Sequence, residues 1–391
     1  MSKIPRIGLL GRILIAIVLG IGAGHIMPLF LVRLLVTFNS VFSEFLSFTI
    51  PLIIFALVAS AISDVGRKAG RMLLLTTGIA YGSTVFAGYL AYFTGISVFP
   101  RLLEANSTES LSATAEGVAP YFTIQMPAVF GVMTALILAF ILGLGMAHLD
   151  SRGLKSGIDE LKEIISRLIG GVIIPLLPIY IFGIFSSMAY TGEVASTIEV
   201  FIRIIGVIFL LHIILLLLQF GIAGIICKRN PLSMLRNMMP AYFTALGTCS
   251  SAATIPVTLK QTQLNGVSSE VAGFTVPLCA TIHLSGSTLK IVSCALALMI
   301  ARGIPQDLGL FTEFILMLGV TMIAAPGVPG GAIMAALAII QSILGFDAEQ
   351  QALMISLYIT MDNFGTACNV TGDGAIAQVV DQLNKREISP A

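Results

Sequence analysis

Four polar side chains recur along one otherwise apolar stretch near the end of the chain. Asp362, Thr366, Asn369 and Asp373 follow one another at intervals of four, three and four residues, and on a helix these intervals place them along one face. Carboxylates that face hydrocarbon are costly, whereas carboxylates that face a protein-lined cavity can bind a cation or an ammonium group. The stripe therefore predicts a polar binding site within a membrane-embedded helix, as a transporter would have.

The chain is far more apolar than a water-soluble domain. Of its 391 residues, 57% are hydrophobic and 10% are charged, and the mean hydropathy is +0.99, whereas roughly a quarter of the residues in soluble domains are charged. This composition predicts one polytopic membrane domain. The net charge of +1 provides no basic face for nucleic acid. The five cysteines form neither a CxxC pair nor a Cys/His cluster, so we expect small buried residues and no enzyme cofactor.

Six apolar segments of membrane-spanning length precede the last third of the chain. They cover about residues 8–30, 40–63, 72–95, 123–149, 165–190 and 198–227. Lys and Arg cluster before the first segment and after the second, fourth and sixth, which indicates cytoplasmic loops and a cytoplasmic N-terminus. The first segment has no evident cleavage site and is interpreted as a helix, not as a removed signal. Short loops without a transit peptide favour a prokaryotic inner membrane.

The C-terminal part contains two similar halves. Each half has an apolar run interrupted by a small polar or Gly/Pro cluster, then a second apolar run, then a helix with a polar group at its middle. The clusters are 248–256 (TCSSAATIP) and 325–331 (APGVPGG), and the polar groups are 283–287 (HLSGS) and 362–373. This repeat is typical of secondary transporters.

Non-helical backbone at membrane depth must be buried in protein or line a cavity. We therefore expect the two clusters to be the tips of re-entrant hairpins. A helix that begins at such a tip points free N–H groups and the positive end of its dipole at a ligand carboxylate. Ser250 and Ser251 add hydroxyl donors at the first tip.

These motifs resemble those of the dicarboxylate/amino acid:cation symporter family, also called the sodium:dicarboxylate symporter or glutamate transporter family. The family's first-hairpin motif is similar to SSAATIP from Ser250, its second-hairpin motif to GVPG from Gly327, and its last-helix motif to the pattern from Asp362 to Asp373. The likeness covers nearly the whole chain. It implies an all-α membrane protein with eight transmembrane helices and two re-entrant helical hairpins, assembled as a homotrimer in the lipid bilayer. It also implies an elevator mechanism that carries a small amino acid or dicarboxylate together with a cation.

The resemblance implies a division of the chain and a role for individual residues. About residues 1–71 and 120–227 would form mainly the scaffold, and 72–95 together with about 233–385 the transport domain. Ser251 and Asn369 would hold the substrate carboxylate, Asp362 its amino group, and Asp373 with Asn369 a sodium ion. The implied substrate site is Ser250, Ser251, Val328, Gly330, Asp362, Gly365, Thr366 and Asn369. The implied cation-coupling region is Cys279, Thr281, His283, Ser285, Lys290, Asn369 and Asp373.

Three positions depart from the family pattern. Gly365 stands where members with acidic substrates carry an arginine, the natural bidentate partner of a second carboxylate, so we expect a neutral amino acid unless a basic residue elsewhere substitutes. Ser285 replaces a carboxylate, which should weaken one sodium site. Lys290 places an ammonium in an apolar helix, where it needs a carboxylate partner. We expect Lys290 beside Asp373 or Asp362, with His283 as a titratable group and coupling to protons or to fewer sodium ions.

Structural roles are an alternative for several of these side chains. His283 could be a neutral histidine satisfied by hydrogen bonds, and Lys290 could snorkel to an interface. Thr366 and Asn369 could make interhelical hydrogen bonds of the kind that membrane proteins use for packing.

Three other functions explain fewer of the sequence motifs. A dicarboxylate or acidic amino acid symporter stays open, because Gly365 is only negative evidence, although Asp362 favours an amine on the substrate. An intramembrane serine hydrolase that pairs Ser250 or Ser251 with His283 would leave the repeated hairpins unexplained, and the sequence has no GxSxG or HExxH. A channel is disfavoured because the polar groups cluster at one central site. We therefore expect a transporter and not an enzyme.

Overall fold

The fold is built from helices throughout the part of the chain that the structure describes. This structure is a computed structural model, which describes residues 9–67, 71–103, 118–149, 152–192, 194–325 and 330–388, and it contains no strand within those ranges. The helices are α1 (Leu9–Ile26), α2 (Leu29–Arg67), α3 (Arg71–Leu103), α4 (Val132–His148), α5 (Arg152–Leu168), α6 (Ile174–Thr191), α7 (Val194–Cys227), α8 (Pro231–Thr248), α9 (Ser251–Leu264), α10 (Ser269–Ile282), α11 (Ser285–Ala301), α12 (Leu308–Ile323), α13 (Gly331–Leu344), α14 (Ala348–Thr360) and α15 (Asp362–Ile388). A single π-helical stretch, Ile169–Ile173, joins α5 to α6.

The described helices are long and apolar enough to cross a membrane at five places. These stretches are Leu29–Ser60, Met72–Leu102, Gly153–Thr191, Phe201–Cys227 and Ser269–Ala301, and shorter apolar helices accompany them. Several boundaries differ from the predicted segments, among them the starts of α2 and α4. The helix α2 begins at Leu29, well before residue 40, and α4 begins only at Val132. Residues 118–131 are not helical because Pro120 and Pro127 interrupt the apolar run and because side chains of α2 bind its backbone, Thr37 at Tyr121 N and Glu44 at Met126 N.

A first bundle consists of α1, α2, α4, α5 and α6. The helix α2 packs along α4, α5 and α6, and α1 packs along α6. A methyl group added at Gly20 or Gly24 of α1 would collide with backbone atoms of Phe182 or Ser186 on α6. Small residues at this four-residue spacing let two membrane helices approach closely. The sequence of α1 therefore fixes its position against α6.

A second bundle consists of α3 and the helices from α7 onwards. Every residue of α11 from Ser285 to Met299 is buried, so this helix forms the centre of the bundle, with α3, α7 and α15 packed against it. The predicted division placed 120–227 mainly in the scaffold, but α7, which lies in that range, packs against α8, α11 and α15. The reason is chemical, because two buried polar side chains of α7, His212 and Gln219, find their hydrogen-bond partners on α11.

The second bundle contains two helical hairpins and two broken helices. The helices α8 and α9 form one hairpin with its tip at Cys249 and Ser250. The helix α12, which ends at Ile323, and α13, which begins at Gly331, form the other. The helix expected around 283–287 is interrupted at His283 and Leu284, and the helix expected around 362–373 begins at Asp362 after a break at Met361. The polar groups that the sequence placed at the middle of two helices thus lie at, or immediately after, breaks in them.

The two bundles meet along a limited surface. The helix α13 contacts α2, and α14 contacts α1 and α6. The Tyr180 hydroxyl of α6 donates to the Ala348 carbonyl of α14 at 3.0 Å. A cavity of about 500 Å³ also lies between the bundles, with Ser187 of α6 and Ala348 of α14 in its lining.

Candidate functional site

Four helix N-termini meet around one small cavity in the second bundle. The helices α9, α11, α13 and α15 begin there, at Ser251, Ser285, Gly331 and Asp362. The lining residues are Cys249, Ser251, Ala280, Thr281, Leu284, Ser287, Ala325, Ala332, Tyr358, Asp362, Thr366 and Asn369. The cavity measures about 30 Å³, which is enough for water but not for an organic ligand. First-turn N–H groups have no intrahelical acceptor, so four helix starts give this cavity an anion-attracting character.

The first hairpin contributes two serines with different tasks. The Ser250 side chain accepts a hydrogen bond from the Ala253 backbone N–H at 3.2 Å and so caps α9, as serine does at many helix starts. Ser251 is buried and lines the cavity. Ser251 is thus the serine at the cavity, and Ser250 holds the helix start in position.

Asp362 is the charged residue of the cavity lining, and both its oxygens have partners. Lys290 Nζ lies 3.4 Å from Asp362 Oδ1 and donates to the Met361 carbonyl at 3.3 Å. The Gly330 backbone N–H donates to Asp362 Oδ2 at 2.8 Å. The expectation that Lys290 lies beside one of the two stripe carboxylates is confirmed for Asp362. A snorkelling position is ruled out because the Lys290 side chain is fully buried.

Gly365 leaves the space into which Lys290 reaches. A β-carbon at position 365 would lie 2.8 Å from Lys290 Nζ and 3.2 Å from its Cε. The ammonium also lies 3.4 Å from the centre of the Tyr358 ring, a cation–π contact. The chain therefore has a basic group beside position 365, supplied by α11 and not by α15.

Asn369 caps the central helix. Its Oδ1 accepts from the backbone N–H groups of Gly286 and Ser287, at 2.8 and 3.3 Å, and its Nδ2 donates to Ser287 Oγ at 3.1 Å. The Tyr358 hydroxyl donates to the same Ser287 oxygen at 3.0 Å. These bonds explain why the chain can break before Ser285, since a side chain satisfies the N–H groups that the break releases. Thr366, one turn earlier on α15, lines the cavity.

A second polar cluster surrounds Asp373. His283 Nδ1 donates to Asp373 Oδ1 at 2.8 Å, and His283 Nε2 lies 3.1 Å from Ser83 Oγ of α3. Gln219 Nε2 of α7 donates to Ser83 Oγ and Ser285 Oγ, at 3.0 and 3.1 Å. Asp373 Oδ2 and Gln219 Oε1 are buried without a hydrogen-bond partner among the described residues. Buried oxygens of this kind suit a bound cation or an ordered water.

Several residues of these clusters were not predicted from the sequence. Contacts with the predicted residues are made by Ser83, His212, Gln219 and Tyr358. His212 and Gln219 carried a signal that could have been read, because two polar residues seven apart in an apolar run lie on one helix face. Ser83 and Tyr358 carried none, since a serine or a tyrosine in an apolar helix is common.

Three more of the named residues complete the comparison with the sequence. Cys279 is buried among apolar side chains of α10 and α15 and does not line the cavity. Thr281 lines the cavity but donates its hydroxyl to the Leu278 carbonyl at 2.7 Å. Val328 lies outside the described residues. Among the residues that are described, no three His, Cys, Asp or Glu side chains are grouped to hold a metal ion, so a sodium ion here would rely on oxygens such as those of Asp373, amides and backbone carbonyls.

Comparison with known proteins identifies relatives over almost the full length. A serine/threonine transporter of Acinetobacter baumannii is 26% identical over 96% of this chain and 97% of its own length. The excitatory amino acid transporter 4 of Mus musculus is 28% identical over 83% of this chain and 56% of its own length. The excitatory amino acid transporter 1 of Ambystoma tigrinum is 26% identical over 74% of this chain and 56% of its own length.

The family-level match agrees with the motifs on which the resemblance was based. The hairpin tips, the broken helices and the α15 stripe all lie within residues 9–383, the part of the chain that the family model matches. Members of this family are transporters and not enzymes. The chain is an integral membrane protein that belongs to the sodium:dicarboxylate symporter family.

Proposed function

We propose that this protein is a cation-coupled symporter of neutral amino acids that works by alternating access. The observation that carries the proposal is one cavity lined by the tip of the first hairpin, by Ala325 and Ala332 of the second hairpin, and by Leu284 and Asp362 at the two helix breaks. Secondary transporters bind their substrates at such discontinuous helices. The printed names of the relatives, a serine/threonine transporter and two excitatory amino acid transporters, support an amino acid as the substrate.

An amino acid matches the two kinds of group that the cavity offers. Its carboxylate suits the N-terminus of α9 with the Ser251 hydroxyl, and its ammonium suits Asp362. At about 30 Å³ the cavity is too small for an amino acid, so the second hairpin would have to move to admit the substrate. Position 365 has no side chain to bind a second carboxylate, which favours a neutral substrate.

A dicarboxylate or acidic amino acid is the second candidate, and one observation favours it. Lys290 Nζ lies within contact distance of the place where a side chain at 365 would begin. If Lys290 left Asp362 and turned to the ligand, it could bind the second carboxylate in place of an arginine. The ion pair between Lys290 and Asp362 disfavours this second role. If Lys290 turned to the ligand, the Asp362 carboxylate would stay buried without its ionic partner.

Coupling would take place at Asp373. Asp362 is paired with Lys290, whereas His283 is the one basic partner of Asp373 among the described side chains. A proton on His283, or a sodium ion at the free Asp373 oxygen, would neutralise this second carboxylate. The other predicted sodium ligand, Asn369, already uses both ends of its amide group. We therefore favour a proton over sodium at this site, with sodium as the alternative.

The elevator mechanism and the assembly also belong to this proposal. The first bundle would be the scaffold and trimerisation domain, and α3 with α7–α15 the moving transport domain. Counting α5 with α6, α10 with α11 and α14 with α15 as single spans gives eight transmembrane helices and two hairpins. The limited contact between the bundles is compatible with one sliding past the other. We further propose a homotrimer in a prokaryotic inner membrane, with a cytoplasmic N-terminus.

The test is uptake into proteoliposomes of the purified protein. Labelled neutral amino acids, acidic amino acids and dicarboxylates would be offered with a sodium gradient and a proton gradient imposed separately. Uptake of neutral amino acids driven by the proton gradient is the expected result. Sodium-driven uptake of dicarboxylates alone would overturn the substrate and coupling proposals, and uptake of none of these substrates would overturn the proposed function.

A further inference from the structure

Lys290 is the one fully buried lysine among the described residues, and it lies at the centre of the second bundle. Its ammonium contacts Asp362 Oδ1, the Met361 carbonyl and the Tyr358 ring, all on α14, α15 or the break between them. An ammonium buried in protein is costly unless a carboxylate and hydrogen bonds compensate it. A buried carboxylate is costly for the same reason, and Lys290 is the ionic partner of Asp362.

Asp362 also connects Lys290 to the second hairpin. Its other oxygen accepts the Gly330 backbone N–H at 2.8 Å. Gly330 has a left-handed backbone (φ 76°) and is the residue immediately before α13, so this bond ties the start of α13 to Asp362. A chain of contacts therefore runs from Lys290 through Asp362 to the start of α13 in the second hairpin.

These contacts are made by groups of the protein alone. If Lys290 were absent, closing the hairpin over an empty cavity would bury the Asp362 carboxylate without a cation. That state would carry a large penalty. With Lys290 present, the carboxylate is neutralised and can still accept the Gly330 N–H.

We propose that Lys290 is a built-in counter-cation for Asp362 that lets the second hairpin close over an empty site. The inference rests on the proposed function. In the loaded carrier the ammonium of the amino acid neutralises Asp362, and in the empty carrier Lys290 does so. The substrate ammonium displaces Lys290 from Asp362 when the substrate binds. The contact between Lys290 and Asp362 forms again when the substrate leaves. The empty carrier then closes and returns without another cation at this position, so the protein carries out net transport and not only exchange.

The direct test measures closure of the hairpin and not transport. Ala332 of α13 is buried and lines the cavity. A single cysteine there, in a background with the five native cysteines replaced, should react slowly with a maleimide in the ligand-free protein. We expect Lys290→Met to raise the labelling rate by at least about tenfold, because closure then buries an unpaired charge. The double variant Lys290→Met/Asp362→Asn should restore slow labelling, since neither charge remains.

The matched control is Lys260→Met, which removes the same charge from an exposed position on α9. It should label as slowly as the parent protein. Equal labelling rates in the parent and Lys290→Met would overturn the inference. Fast labelling that persists in the double variant would also overturn it, because the effect would then come from lost packing and not from the charge of Asp362.

A transport measurement separates this inference from the proposed function. Net uptake requires the empty carrier to return, whereas exchange against internal substrate does not. In Lys290→Met the ratio of net uptake to exchange should fall by at least about tenfold. An unchanged ratio overturns the role of Lys290 while the symporter proposal stands. A parent protein that moves no amino acid overturns the symporter proposal, and the labelling series still tests hairpin closure.

Discussion

His283 and Asp373 are ninety residues apart in the chain, yet His283 Nδ1 lies 2.8 Å from Asp373 Oδ1. Lys290 and Asp362 form the second pair between the same two parts of the fold. Both basic groups belong to the α10–α11 break and α11, and both carboxylates belong to α15. His283 precedes Lys290 in the chain, whereas its partner Asp373 follows Asp362. The helices α11 and α15 therefore run antiparallel where they meet. The Lys290–Asp362 pair lies at the cavity. The His283–Asp373 pair lies away from the cavity lining, beside α3 and α7.

The His283 pair predicts the coupling ion. In His283→Asn, the described part of the protein would have no titratable basic group at Asp373, so a proton could no longer be held between the two side chains. We expect proton-driven uptake to fall by at least about a hundredfold, the lower end of the range for loss of a proton-transfer group. The measurement is initial uptake into proteoliposomes with the proton gradient and the sodium gradient imposed separately.

His148→Asn is the matched control for this variant. His148 is exposed at the end of α4, with its Nδ1 bonded to the Leu144 carbonyl one turn earlier. It should retain the coupling of the parent protein. Undiminished proton-driven uptake in His283→Asn would show that His283 has only a structural role.

Position 365 predicts a change in substrate class that requires two substitutions. Gly365→Arg alone would place its β-carbon 2.8 Å from Lys290 Nζ and would bring two cations together. In Lys290→Met/Gly365→Arg the space and the charge are both available to the new guanidinium, which can bind a second carboxylate. We expect acidic amino acids to compete in exchange assays at least about tenfold more strongly against the double variant than against Lys290→Met, the scale of one charge-assisted hydrogen bond. Equal competition would contradict the role given to position 365.

The helices and hairpins of the site could be predicted from the sequence, but the contacts between them could not. The repeated Gly/Pro/Ser clusters and the α15 stripe predicted the hairpin tips and the polar face of α15. The breaks at His283–Leu284 and Met361 were not predicted, because the N–H groups that they release are satisfied by side chains distant in sequence, such as Asn369. Which carboxylate pairs with Lys290 depends on how α11 crosses α15, and no local pattern carries that information.

Asn369 predicts a stability effect that a pure ligand role would not produce. Asn369→Ala removes the acceptor for two N–H groups of α11 and a donor to Ser287. Loss of a helix cap costs about 1 kcal/mol, and unsatisfied buried groups add about 1–3 kcal/mol. We expect the free energy of unfolding to decrease by roughly that sum and the midpoint of thermal unfolding to fall by several degrees.

Buried thiols provide the measurement for Asn369. Cys279, Cys294 and Cys368 are buried, so a thiol-reactive fluorophore reports unfolding once the half-buried Cys227 and Cys249 are replaced by serine. The control is Asn363→Ala on the same helix, where Nδ2 makes one bond, to the Leu246 carbonyl, and Oδ1 has no partner among the described residues. Asn363→Ala should lower the free energy of unfolding by less than Asn369→Ala does. Equal midpoints for the two variants would show that the Asn369 cap does not stabilise α11.

The boundary between the bundles predicts where a cross-link should stop transport. Ser187 of α6 and Ala348 of α14 line the same cavity between the proposed scaffold and transport domain, and both are small side chains that cysteine can replace with little change in packing. In a background without native cysteines, a short bifunctional maleimide should join Ser187→Cys to Ala348→Cys. We expect uptake to be lost while ligand binding in detergent persists, because the substrate cavity lies wholly in the second bundle. Each single-cysteine variant treated in the same way should remain active. A cross-linked protein that still transports at the parent rate would mean that the two bundles do not slide past each other, and the elevator proposal would be wrong.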